Sequence, residues 1–495
     1  MALASFFDRV YGAIGGHLSV SRESLTDLLQ SVIVEIRCGA DVSQNDAWIA
    51  ELAANLLARL YPRISISGPG RLCSPLRNLA KQINPNIEFE ETAPSSTTIS
   101  IGSGHSEGAL FPSASGWVAR LSHGGSRLKG PANPYASAAA ASFATAELFR
   151  RIFLRATPER DFSLSLLNFD SETGVDTELP SGNLHDVLFV GVGAIGNAAI
   201  WCLARDERRR GRLTLLDAER LELLNLQRYV LGTSTDVLKP KVAIAQNELR
   251  RTRISVIPEQ QTLEAFADEG TAKVPLICIS VDSARTRITA QALLPKLIVN
   301  GWTGDAAVGA SWHIFSRTAA CLACLYYPHG RGLSQTEQAA SALGLSPERA
   351  ALLWVTRQPL SEDDIATAAK TLGTTETVLQ PWRGKSLGEL YTDVVCGAVP
   401  VNTPQTGKQE VVPLAHQSAL AGTLMAAELV KRTDRTLTGK SQREVLVSWD
   451  NVLQSPPRIW RKPRAREAGC ICGDSAYQSA YRAKWLRPTV RGPRD

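Results

Sequence analysis

The chain has no stretch of eighteen consecutive apolar residues, so nothing in it reads as a membrane-spanning helix. Its first residues, MALASFFDRVYGA, place no basic segment ahead of an apolar core, so no secretory signal is expected. The net charge is only +6, much of it in the stretches Arg208–Arg212 and Arg461–Arg494. With no nucleic-acid recognition motif beside them, solvated basic faces account for these stretches, and no nucleic-acid partner is expected. Nine cysteines, at 38, 73, 202, 278, 321, 324, 396, 470 and 472, follow no secreted disulfide spacing. Histidine is scarce, and none stands where a general base would be read. A cytoplasmic protein without a membrane partner is expected.

What is present is an ordinary globular composition, 44% apolar and 21% charged, on a chain too long for a single core. Two or three domains follow from the 495 residues. The most informative stretch runs from Asp186 to Glu219. An apolar run, Val187 to Val190, reads as a buried parallel strand. Gly191, Gly193 and Gly196 follow in GxGxxG spacing and lead into a helical pattern, and a second strand-like run, Leu213 to Leu216, ends on Asp217. Gly191 permits the tight turn, Gly193 admits a ligand, and Gly196 lets helix and strand pack closely. The N–H groups from Gly193 through Ala194 and Ile195 to Gly196 can receive an anion, and Asp217 can accept from ribose hydroxyls. This pattern identifies a nucleotide site without naming the nucleotide. A nicotinamide dehydrogenase shares it but needs a hydride acceptor site and usually a protonating residue, and no suitable histidine is found.

Before the motif, the chain has its own α/β rhythm. Strand-like runs fall at Ser31–Ile36, Arg63–Ile66, Ile87–Glu90, Thr97–Ile101 and Gly116–Leu121, with helices at Trp48–Leu60 and, Ala-rich, at Pro134–Arg151. No glycine triplet follows SVIVEI, so this half is expected to be structural. After the motif, Pro240 opens a helix with Lys241 in its first turn, where the helix dipole disfavours a cation unless an anion lies nearby. Leu276–Ser280 is a further strand with Asp282 at its end, where open α/β sheets bind ligands. Asp282 reads either as a metal or nucleotide ligand or as a helix N-cap. The cluster Asp217, Asn225, Arg228, Lys241 and Asp282 combines phosphate-binding cations with carboxylates for ribose or Mg²⁺, which suits adenylyl transfer from ATP.

With these motifs the chain resembles the ubiquitin-activating E1 family and the related adenylating enzymes of thiamine and molybdopterin synthesis. The matching segments are GVGAIG at 191–196, LLDAERLELLNLQR at 215–228, LKPK at 238–241, ISVDS at 279–283, Cys321-Leu-Ala-Cys324, and the late stretch from Cys396 through His416 to Lys431. The resemblance implies an α/β fold of two Rossmann-like ThiF/E1 adenylation-type domains, the first inactive and the second active. It implies a glycine turn around ATP, Asp217 on the ribose, Asn225, Arg228 and Lys241 on the phosphates, and Asp282 in Mg²⁺-dependent chemistry. An arginine from the inactive half completes the site in many relatives; Arg9 is the candidate here, and a solvated surface arginine is the other reading. Tyr229 and Glu219 depart from the family's usual glutamine and aspartate, which leaves carrier binding less defined.

Cys321 and Cys324 have the CxxC separation that lets two thiolates grip one Zn²⁺. Cys470 and Cys472 would complete a four-thiolate site, although relatives usually carry CxxC there as well. A redox pair or two free thiols are the alternatives. Cys396 is then left over, before a turn-forming glycine. By resemblance its thiolate accepts the activated carrier as a thioester, and an inert buried thiol is the other reading. The expected layout is 1–155 degenerate domain, 156–184 linker, 185–325 nucleotide-binding part, 326–395 helical insertion, 396–472 cysteine segment and zinc closure, and 473–495 basic tail.

The leading expectation is an E1-like enzyme that adenylates the C-terminal carboxylate of a ubiquitin-like protein ending in glycine and carries it on Cys396. An E2-like conjugating protein would be a partner, and a bacterial conjugation system, possibly one of phage defence, the setting. The alternatives are a sulfur-carrier adenylyltransferase and a nucleotide-binding scaffold without turnover. Pairing two related halves in one chain would form an intramolecular pseudodimer.

Overall fold

The computed structural model describes residues 3–15, 21–104, 106–154, 160–170, 174–268, 273–304, 307–315, 319–327, 335–391, 394, 413–438, 446–450, 458–462 and 465–485. The chain divides into two compact units: Met1–Tyr11 with Val20–Tyr327 and Pro413–Asp495, and Gly12–Ser19 with Pro328–Val412.

In chain order the first half opens with α1 (Phe7–Gly15), whose residues from Gly12 on are assigned to the smaller unit, and α2 (Arg22–Ser31). Next come β1 (Val34–Cys38), α3 (Gln44–Ala58), β2 (Arg63–Ser67), α4 (Gly70–Ile83), β3 (Glu88–Glu90) and β4 (Thr98–Ile101). The strands form a parallel sheet in the order β3-β2-β1-β4. Near-continuous burial along β1, β2 and β4 is what helices packed on a parallel sheet require. Then follow β5 (Phe111–Ser115), β6 (Val118–Ser122), α5 (Pro134–Phe149) and β7 (Phe162–Ser165). The antiparallel set β5-β6-β7 joins β4 through a parallel bridge between Ile99 and Leu110. Asn133 caps α5 by accepting from the Tyr135 N–H, and Pro134 sits in its first turn. Every residue of α5 is buried, which explains its alanines: only small side chains fit a helix enclosed on all faces. The strand β7 lies within 156–184, the span expected as a linker.

The second half runs β8 (Gly182–Val190), α6 (Ala194–Ala204), β9 (Arg209–Leu216), α7 (Lys241–Leu249), β10 (Arg253–Glu259) and α8 (Leu263–Asp268). It continues with β11 (Leu276–Ile279), α9 (Ala284–Ala292), β12 (Leu297–Thr303), β13 (Val308–Ile314) and α10 (Leu322–Leu325). The smaller unit then contributes α11 (Gln335–Leu343), α12 (Pro347–Thr356), α13 (Glu362–Thr371), α14 (Glu376–Leu379) and α15 (Leu387–Leu390). These helices enclose their own core, which includes Leu343, Leu353, Ile365 and Leu379. Ser361 and Asp364 form a capping box at the start of α13. Back in the larger unit lie α16 (Ala415–Thr433), α17 (Arg435–Thr438), β14 (Leu446–Asp450), β15 (Arg458–Lys462) and α18 (Ser475–Trp485).

The eight strands of the second half follow the order β10-β9-β8-β11-β12-β13-β14-β15. Strand for strand, β3-β2-β1-β4-β5-β6-β7 repeats the course β10-β9-β8-β11-β12-β13-β14, and α5 corresponds to α16. The helices α5 and α16 pack on one another, with α3 against α5 and α6 against α16. Polar contacts cross the same seam. The Glu51 carboxylate receives bonds from Trp201 and Arg205, and the Tyr135 hydroxyl donates to Asp206 at 2.9 Å. No helix among the described residues is long and apolar enough to cross a membrane.

Candidate nucleotide site and four-cysteine cluster

β8 ends at Val190, and Gly191 turns the chain with φ +85°, a conformation that favours glycine. A Cβ on Gly196 would lie 2.1 Å from the Gly191 carbonyl oxygen, so the third glycine is required by close packing. Gly193 is the N-cap of α6 and brings no side-chain cap, and no acid lies in the first turn. The N–H groups there, including those of Ala194 and Ile195, are those an anion would meet.

Asp217 follows β9 and accepts from the Val192 N–H at 2.8 Å and the Glu219 N–H at 2.9 Å, which locks the acid to the glycine turn. Burial pushes its carboxyl above the ordinary range. Lys241 is buried as the first residue of α7, and its ammonium pairs with the exposed Glu219 carboxylate. The segment around Glu219 is zipped to LKPK by Lys241 N–H to Glu219 O at 3.1 Å and Leu221 N–H to Lys239 O at 2.9 Å. Asn225 lies in a 3₁₀ turn, Leu223–Gln227, with its Oδ1 accepting from the Glu222 N–H; Arg228 follows directly, half-buried.

Asp282 lies three residues beyond the end of β11, exposed. Helix α9 takes its N-cap from Ser283, whose side chain accepts from the Thr286 N–H at 3.1 Å, so Asp282 is not needed as that cap. Ser280 Oγ donates to the Gly191 carbonyl at 2.9 Å and ties the two turns together. The glycine turn and Asp282 thus flank the point where the strand order reverses. Arg9 lies on α1, and none of these bonds involves it. Cys396 falls outside the described residues.

Sequence reasoning missed the residues that hold these turns. Asn197 donates to the Gly193 carbonyl and accepts from the Leu231 N–H. Buried Arg287 joins the Val281 carbonyl at 3.0 Å to Asn300 and to the Tyr326 hydroxyl. Asn300 donates to Ser311 at 3.1 Å; Ser311 pairs with His313 Nε2 at 2.9 Å, and His313 Nδ1 with the Ala320 carbonyl at 3.0 Å. The only signal for Asn197 was a polar side chain directly after the third glycine.

The first half differs where it matters. Its α3 begins with a capping box in which Ser43 and Asp46 satisfy each other's N–H groups, so a carboxylate already sits at that helix end. The turn after β1 is also closed: Gly39 N–H bonds Ile101 O at 2.8 Å and Ser103 N–H bonds Asp41 O at 3.0 Å.

The four cysteines 321, 324, 470 and 472 come together, all buried, with their sulfurs within 4.8 Å of one another. Cys321 lies 3.7 Å from Cys324 and 3.6 Å from Cys470, and Cys324 lies 3.6 Å from Cys472. These sulfurs are too far apart for disulfides. They match the roughly 3.8 Å edge of a tetrahedron built on metal–sulfur bonds of about 2.3 Å. The tighter Cys470-Ile471-Cys472 pair fits because the chain enters a 3₁₀ turn, Ile471–Gly473, with Cys470 as its cap. Hydrogen bonds from Cys321 and the Glu467 N–H pull the Cys324 thiol below the ordinary range, while burial pushes Cys472 above it. The cluster is able to chelate a metal. Helix α18 closes over this region through Tyr477, which donates to the Gln291 carbonyl.

A glycine turn, an acid at the next strand end and an uncapped helix define a Rossmann-type nucleotide-binding domain. The ThiF family model matches residues 183–472, and the chain belongs to that family. Residues 38–154 match a separate model, Prokaryotic E2 family C. The first half, expected as a degenerate adenylation-like domain, shares the strand course of the second but matches a model of another description.

An uncharacterized protein of Sinorhizobium fredii, y4jF, is 32% identical over 518 aligned residues, covering 98% of each chain. The sulfur carrier protein ThiS adenylyltransferase of Escherichia coli is 30% identical over 105 residues, 20% of this chain and 41% of that protein. Among solved structures, E. coli MccB with ATP aligns at 16% identity and TM-score 0.35, over 58% of this chain and 66% of that one.

Proposed function

We propose that this protein uses ATP to adenylate the C-terminal carboxylate of a small carrier protein. Its membership of the ThiF family and the carrier-adenylating activity named for its E. coli relative support the reading. The observation that carries it is the uncapped start of α6, with Asp217 bonded to the glycine turn and Lys241 paired with Glu219, whose N–H donates to Asp217. Asp217 would accept from the ribose. Lys241, Arg228 and Asn225 would take the phosphates, and Arg9 remains a candidate for the arginine supplied from the first half. Asp282, exposed and not needed as the α9 N-cap, would hold Mg²⁺, which would neutralise phosphate charge when bound. A carrier carboxylate oxygen then attacks the α-phosphorus, the acyl-phosphate bond forms, and the α–β bridging P–O bond breaks to release pyrophosphate. Zinc fits the four buried thiols, as a closed structural site that pins α18.

A second reading adds transfer of the activated acyl group to Cys396 as a thioester, with AMP leaving. All eight cysteines among the described residues are buried, so none of them offers an accessible thiol. Cys38 and Cys73, the two within the E2-type match, have their thiols raised by burial and serve poorly as acceptors. The match of 38–154 to an E2 model favours a conjugation setting for this reading.

The test is ATP–pyrophosphate exchange by the full chain with candidate small proteins ending in glycine. Carrier-dependent exchange supports adenylation; ATP binding without exchange for any carrier favours a non-catalytic scaffold. A thiol-sensitive carrier adduct lost in Cys396→Ser supports the thioester, and exchange without an adduct leaves adenylation alone.

A further inference from the structure

We propose that Arg59, assisted by Asn55, is a positioning residue for the nucleotide site, setting from the first half the segment that carries Asn225 and Arg228. This rests on the adenylation reading above.

Arg59 is fully buried at the C-terminal end of α3. One guanidinium nitrogen donates to the Leu226 carbonyl and another to the Gly232 carbonyl at 3.0 Å. Its Nε donates to Asn55 Oδ1 at 2.9 Å, and Asn55 Nδ2 donates to the Val230 carbonyl at 2.8 Å. Three carbonyls of the stretch 226–232 are therefore held by one turn of α3. On its other side the stretch is held by Asn197, which accepts from the Leu231 N–H and donates to the Gly193 carbonyl. The segment between the 3₁₀ turn and α7 is thus suspended between the first half and the glycine turn.

Val230 and Gly232 lie outside helices and strands and Leu226 near the end of the 3₁₀ turn, and side chains of α3 satisfy their carbonyls. Burying a whole guanidinium is a poor way to gain stability, because its desolvation opposes the bonds it makes. Burial draws its pKa down to about 9, which still leaves it charged at neutral pH. A planar fork instead fixes two carbonyls in one geometry, which a lysine cannot do. Arg59 and Asn55 thereby set the course of the backbone on both sides of Arg228 through the carbonyls of Leu226, Val230 and Gly232.

The experiment compares Arg59→Lys and Asn55→Ala with the unaltered chain by calorimetric titration of ATP and, separately, AMP. Asn225 and Arg228 are read as phosphate-binding residues, so ATP affinity should fall about tenfold in Arg59→Lys while AMP affinity changes little. Asn55→Ala should shift the ATP-to-AMP ratio the same way, less strongly, and serves alone should Arg59→Lys fail to fold. Equal losses for both nucleotides, or an unchanged ratio in the folded variants, overturn the proposal. An unaltered chain that binds no ATP overturns the adenylation reading instead, before any variant is compared.

Discussion

The ammonium of Lys241 is paired with the carboxylate of Glu219: a buried base held by an acid whose side chain is 72% exposed. Such a pair contributes little to stability, because water competes for its outer member. Its consequence is competition, since the group expected to receive phosphate already has an anionic partner.

Glu219→Gln should therefore tighten ATP binding a few-fold, as the released ammonium meets phosphate without displacing a charge. Lys241→Ala should lower pyrophosphate exchange roughly hundredfold, the scale on which loss of one electrostatic stabiliser is felt. Isothermal titration and exchange assays read the two effects. Weaker ATP binding in Glu219→Gln would show that the acid supports the site rather than competing for it.

The protein as purified should contain one metal ion per chain, held by Cys321, Cys324, Cys470 and Cys472. Cys472→Ser should lose it, measured by elemental analysis, and lower the melting temperature by several degrees as α18 loosens. Retention of the metal by the variant would exclude Cys472 as a ligand.

His313 is buried and its pKa is drawn down to about 4 by that burial, against an ordinary value of 6.5. The folded value is depressed, so its contribution to stability is fully present above about pH 6.5 and is lost as pH falls toward about 4. At most this amounts to on the order of 3 kcal/mol. Denaturant melts between pH 7 and pH 4.5 should show a decline that is shallower in His313→Gln. An equal slope in both would place the acid sensitivity elsewhere.

One nucleotide should bind per chain. Calorimetry should give a stoichiometry near one, because the capping box of Ser43 and Asp46 occupies the helix end that would be a second site. Two equivalent sites would refute this contrast between the halves.

Much of this site was legible because it is local. The glycine spacing, the acid at a strand end and Lys241 behind Pro240 each follow from a few consecutive residues and the backbone they impose. The insertion helices and the fully buried Ala-rich helix were readable for the same reason, and CxxC proclaimed its pairing by spacing alone. Short elements with weak patterns were missed or displaced: β5 was not foreseen, SVIVEI begins its strand only at Val34, and β7 lies in an expected linker.

The amino-acid sequence by itself determined a nucleotide-binding turn, its acid and a pair of thiols ready for metal. Only the tertiary structure decided what these groups meet. It showed that Ser283 rather than Asp282 caps α9, that CxC closes the cluster through a 3₁₀ turn, and that Arg59 reaches the 226–232 carbonyls from 167 residues away in sequence. Periodicity and spacing record local backbone preference, whereas such contacts depend on which buried carbonyls and charges the packing of two halves brings face to face.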